Sequence, residues 1–122
     1  MAWVVDTCLL IDIADDDPSF GVASANFLDS KRSSGLLICP VTFIELAPVF
    51  GGDREAQEEF LFNLEVSYAE PWTDPDTHRA HTAWHEYVTT RRLRNTPKRP
   101  LADVLIGAFS HRWDGQIGRA HV

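Results

Sequence analysis

The 122-residue chain predicts an α/β fold with a parallel sheet covered by helices on both faces. Short aliphatic and β-branched runs, WVVD at residues 3–6, LLIC at 36–39 and EVSYAE at 65–70, read as strands. Segments with helical spacing separate them, which favours parallel pairing over hairpins. The length suits one domain with one sizeable core, and no internal repeat or low-complexity tract divides it.

WVVD is a buried first strand, and TCLLIDIA starts a helix directly behind it. Asp15, Asp16, Asp17 and Pro18 make a turn, and Ser19 is the expected N-cap of a second helix running to about Arg32. Phe20, Ala23, Phe27 and Leu28 recur there with helical spacing, and Ser33, Ser34 and Gly35 close it. After LLIC, Pro40 opens a helix, PVTFIELAPVF, which Gly51 and Gly52 end. Asp53 caps the next helix, with Ala56, Phe60, Leu61 and Leu64 on one face. EVSYAE is the third strand, and Pro71 marks its exit. A long helix is expected from Asp74 to about Arg94, then a loop from Pro97 to Pro100. The last helix, LADVLIGAFSHRW, carries Leu101, Leu105, Ile106 and Phe109 on its apolar face.

No apolar run is long enough to span a bilayer. The first apolar stretch lacks a preceding Lys or Arg and is interrupted by Asp6 and Asp12, unlike a secretory signal, so a cytoplasmic location is expected. Cys8 and Cys39 are too few for a disulfide scaffold and sit in apolar phrases, as reduced core residues would. The net charge of −7 opposes long-range attraction to nucleic acid. The distribution of charge qualifies this, because Arg91, Arg92, Arg94, Lys98 and Arg99 crowd into RRLRNTPKR. Such a basic stripe on an acidic body suits contact with phosphate at one place, or simply a solvated helix end.

Three carboxylates stand inside apolar phrases: Asp6 in VVDTCLL, Glu45 in TFIELAP and Asp103 in LADVLIG. Each has a plain structural account. Asp6 could cap the first helix, Glu45 follows Thr42 at capping-box spacing, and Asp103 lies where a helix dipole favours an acid. Taken together they suggest more, since ligands of parallel sheets bind beyond the carboxyl ends of the strands, where Asp6 stands. Acids converging there would repel one another and raise each other's pKa unless a cation intervened. Hard divalent ions such as Mg²⁺ and Mn²⁺ prefer such oxygen ligands.

With these residues in view, the chain resembles the PIN-domain family, and within it the small toxin ribonucleases of the VapC type. VVDTCLLIDI is similar to the opening strand, first catalytic acid and polar neighbour, which implies Asp6 and Thr7. VTFIELAPVF resembles the helix of the second acid, implying Glu45, and RPLADVLIGAFSHRWDG that of the third, implying Asp103. The resemblance implies a three-layer αβα fold with a central parallel sheet of about four strands. It also implies a metal-dependent endoribonuclease, with Asp6, Glu45 and Asp103 holding Mg²⁺ or Mn²⁺ and Thr7 placing a water or a carboxylate. The basic stripe would then meet RNA phosphates. The implied partners are RNA, a small cognate antitoxin and a second copy of the chain in a homodimer, with no membrane.

The pattern departs from the family at its end, where a fourth acid normally follows the fourth strand and is missing here. Asp114, which precedes that strand and adjoins Gly115, reads as a turn residue instead. The closing Ile-Gly-Arg-Ala-His-Val matches a translation of a sequencing-adapter stretch. The expected division is therefore a single domain over residues 1–115 and a non-native tail over 116–122, with the fourth strand incomplete and catalysis impaired. A catalytically silent PIN scaffold that binds RNA or protein is the main rival. His78, His81 and His85 share a helix face but lack the zinc-protease pattern, so a solvated face is expected. Cys8 stands where an Asp-x-Asp phosphatase needs its second acid, and a receiver domain would need an acidic neighbour for Asp6. Trp3, Trp72, Trp84 and Trp113 are expected to pack in the core or an interface.

Overall fold

A computed structural model describes residues 2–94, 101–113 and 117–118, with residues 91–94 and 117–118 described by backbone. The order is β1 (Trp3–Val5), α1 (Thr7–Ala14), α2 (Gly21–Lys31), β2 (Leu36–Leu37), α3 (Pro40–Glu45), α4 (Arg54–Asn63), β3 (Val66–Ser67), α5 (Asp74–Arg94), α6 (Leu101–Ser110) and β4 (Ile117–Gly118). The chain is α/β, as the alternation of strands and helices predicts. Three strands form a small parallel sheet in the order β3-β2-β1, with Trp3 opposite Leu36 and Leu36 opposite Val66. β4 lies along the other side of β1, also parallel, with Val4 opposite Ile117.

Side chains alternate across a strand, so neighbouring residues serve different faces of this sheet. Val5, Leu36 and Ile38 join Leu9, Leu10, Leu28, Leu46 and Leu61 in one buried cluster. Val4, Leu37 and Cys39 join Ile106 and Phe109 in a second. α1, α2 and α4 therefore supply apolar side chains to one face and α6 to the other. The tryptophans pack largely as expected. Trp3 meets Phe27 edge-on at 5.8 Å, and Phe109 has Trp72 at 6.2 Å and Trp113 at 5.1 Å.

Several local expectations are corrected. Ser19 is not the cap of α2: Asp17 Oδ1 accepts the N–H groups of Ser19 and Phe20, both at 2.8 Å, and the helix starts at Gly21. A Cβ at Gly21 would meet the Asp12 carbonyl oxygen at 3.3 Å, a close approach between α1 and α2 that glycine permits. PVTFIELAPVF is not one helix, because α3 ends at Glu45 and a separate 3₁₀ turn spans Ala47–Phe50. Pro48 has no N–H to donate and its ring would collide with the carbonyl four residues back. Gly51 and Gly52 then reverse the chain at φ of +60° and +78°, and Asp53 caps α4 as expected, accepting from Ala56 N at 3.1 Å. β3 is shorter than EVSYAE, since Glu65 has φ of +60° and belongs to the turn. Cys39 is buried as expected, but Cys8 is exposed rather than a core residue. Among the described residues no helix is long and apolar enough to cross a membrane.

Candidate active site at the carboxyl edge of the sheet

Topology gathers the singled-out residues before any side chain is considered. Asp6 immediately follows β1, and α3 begins three residues after the parallel β2, so both lie beyond carboxyl ends of strands. α6 must run back across the sheet to enter β4 parallel to β1, which puts its first turn, with Asp103, at that same edge. α5 lies antiparallel to α6, because Arg79 Nε donates to the Ala108 carbonyl at 3.0 Å and Arg112 reaches Asp76. α5 has 21 residues and α6 has 10, so at 1.5 Å per residue α5 is about 16 Å longer. The start of α5 is pinned beside the end of α6, so most of the surplus extends past the start of α6 and carries the backbone of Arg91, Arg92 and Arg94 beyond the carboxyl edge. Lys98 and Arg99 lie outside the described residues, as does Asp114.

Asp6 occupies the N-cap position of α1 with extended backbone, φ −74° and ψ 148°, yet its side chain makes no capping hydrogen bond. The carboxylate instead accepts from the Cys8 thiol, Sγ to Oδ2 2.9 Å, and is only 8% exposed. Partial desolvation, then the hydrogen bond to Asp6 and its negative charge, pushes the Cys8 thiol up to about 12. A thiol so placed keeps its proton and acts as a donor to Asp6.

Glu45 is not a capping residue either. Cys39 is the N-cap of α3, so Thr42 sits inside the helix and Glu45 is its last residue. Thr7, the first residue of α1, reaches across to it, with Oγ1 2.7 Å from Glu45 Oε1. Thr7 Oγ1 also lies 3.0 Å from Thr42 Oγ1. Thr7 and Thr42 are both buried, whereas Glu45 is exposed. The result is a carboxylate presented to solvent with one oxygen anchored from below.

Asp103 is half-buried in the first turn of α6, where the positive end of the helix favours an acid. His78, His81 and His85 are all exposed on α5. The structure thus brings Thr7 and Glu45 into contact and sets Asp6 and Asp103 at the same edge. Among the described residues, no three His, Cys, Asp or Glu side chains are gathered closely enough to hold a metal ion. The donor type suits Mg²⁺ or Mn²⁺, since carboxylate and hydroxyl oxygens are hard ligands.

Sequence reasoning misses two participants. Capping-box spacing conceals the contact of Thr42 with Thr7, although a hydroxyl between apolar neighbours in VTFIEL signals a buried polar contact. The apolar phrase TCLLI points Cys8 to the core and gives no sign of its bond to Asp6. No family model, no curated protein and no solved structure matches this chain.

Proposed function

We propose that this chain is a Mg²⁺- or Mn²⁺-dependent endoribonuclease on a PIN-like three-layer αβα fold with about four parallel strands. The observation that carries the reading is the release of two acids from capping. Asp6 stands at a cap position without capping, and Glu45 is held by a hydroxyl from another helix. Both lie where parallel sheets bind ligands.

Asp6, Glu45 and Asp103 would hold the cation, and Thr7 fixes the orientation of the Glu45 carboxylate. When bound, such an ion supplies Lewis acidity toward a phosphate and a more acidic water. Arg91, Arg92, Arg94, Lys98 and Arg99 would neutralise backbone phosphates of RNA. In this reading the chain is a cytoplasmic toxin of a toxin–antitoxin pair, with a cognate antitoxin and a homodimeric state as its protein partners.

The test is cleavage of a mixed RNA substrate by the purified chain with Mg²⁺ or Mn²⁺, with EDTA, and by Asp6→Asn. Metal-dependent cleavage that disappears in the variant supports the reading. Thermal melting gives a second readout, because an ion at 100 times its dissociation constant stabilises the fold by about 2.7 kcal/mol. RNA binding without cleavage, and no thermal shift in either protein, would instead favour the silent scaffold.

A further inference from the structure

We propose that Thr42 is a positioning residue for Glu45, acting through the hydroxyl of Thr7. The inference rests on the reading of Glu45 as a metal ligand and names a residue that reading leaves without a role. Thr42 is 0% exposed, and its Oγ1 faces Thr7 Oγ1 on a different helix at 3.0 Å. Thr7 Oγ1 is in turn 2.7 Å from Glu45 Oε1.

Proton counting orders the chain. A hydroxyl has one proton to donate, and a carboxylate oxygen accepts. Thr7 therefore donates to Glu45 and accepts from Thr42, so the two hydroxyls point in sequence toward the carboxylate. Donors linked this way polarise one another, which strengthens the terminal bond to Glu45. Glu45 is otherwise an exposed, long side chain on the last residue of a six-residue helix, free to exchange rotamers. A buried Thr42 holds Thr7 in the rotamer that reaches Glu45, and Thr7 holds one carboxylate oxygen toward the sheet edge. Partners of metal ligands commonly change metal affinity by about 10–100-fold when removed.

Mn²⁺ is the probe, with its dissociation constant measured by calorimetry on wild type, Asp6→Asn, Thr42→Val, Thr42→Ser, Glu45→Gln and the Thr42→Val/Glu45→Gln double variant. Valine keeps the shape of threonine and removes the donor. The expected result is about tenfold weaker binding for Thr42→Val and near-recovery for Thr42→Ser. In the Glu45→Gln background, Thr42→Val should cost no further affinity, because its effect passes through the carboxylate. Equal binding by wild type and Thr42→Val overturns the proposal, as does an equal loss in both backgrounds. Either result leaves the metal site itself standing, provided Asp6→Asn still abolishes binding. Wild-type protein that binds no Mn²⁺ overturns the metal-site reading and the positioning role with it. If Thr42→Val does not fold, Thr42→Ala and Thr42→Ser supply the same comparison.

Discussion

Arg112 Nη2 lies 3.2 Å from Asp76 Oδ2, and this contact joins the first turn of α5 to the 3₁₀ turn after α6. Asp76 is fully buried, accepts from Thr73 N at 2.9 Å and pairs with Arg79 as well. Arg112 also donates to the Pro71 carbonyl at 2.8 Å and stacks over Phe109 and Trp113. Asp76 is the buried member, while Arg79 and Arg112 each keep 28% side-chain exposure and can turn to water when it is removed. Asp76→Ala is expected to lower stability by about 1–3 kcal/mol in urea unfolding, through the lost charge-assisted bonds and the unpaired Thr73 N–H. A decrease under about 1 kcal/mol, the range of an exposed pair, would show that the network is tolerated rather than stabilising.

Phe109 is the aromatic centre of the second cluster, with no exposed surface and with the rings of Trp72 and Trp113 against it. Phe109→Ala should cost about 3–5 kcal/mol through reduced burial and the cavity left behind. Phe62, 75% exposed on α4, provides the control, and Phe62→Ala should stay within about 0.5 kcal/mol. Parallel denaturation curves decide between a core and a surface role for each.

The Cys8 thiol is raised from 9.0 to about 12 by desolvation and by its bond to Asp6. Alkylation by iodoacetamide at pH 8 should therefore be much slower than for an unfolded control, although Cys8 is exposed. Asp6→Asn removes the negative charge and should accelerate the reaction. Cys39, raised to about 11 mainly by burial, acts in the same direction on stability. Above pH 9 the unfolded thiols ionise while the folded ones keep their protons, so stability falls between about pH 9 and 12. Cys39→Ala should make that decline shallower in pH-dependent melts.

If the far end of α5 meets RNA phosphates, each of Arg91→Ala, Arg92→Ala and Arg94→Ala should weaken RNA binding uniformly across sequences. The slope of log affinity against log salt should fall by about one for each phosphate that is no longer neutralised. An unchanged slope in the triple variant would remove this segment from the binding surface.

The element order and the Asp53 cap are legible because period and capping chemistry are local properties of the sequence. Ser19 misleads because Asp17, two residues earlier, accepts the N–H groups of Ser19 and Phe20 in a turn of its own, which delays the helix start to Gly21. The break at Leu46 is also visible in principle, since Pro48 forbids a continuous helix. At the candidate site, the three acids can be found from their apolar phrases, but not what holds them. Thr42 and Thr7 are 35 residues apart in sequence, and Asp76 finds Arg112 across a similarly long interval. No periodicity encodes such meetings; only the packing of α1 on α3, and of α5 on α6, creates them.

The placement of β4 beside β1 bears on the order in which the molecule is assembled. β1 pairs with β2 across a modest loop, whereas Val4 and Ile117 come from nearly opposite ends of the chain. Closing the longer loop costs more entropy, and the two residues of β4 contribute little in return. The N-terminal strands and their helices can thus form a nucleus first, with β4 docking as the last piece. Amide protons shared between β1 and β4 should then exchange through a local opening, at rates well above those set by global unfolding in a hydrogen-exchange measurement.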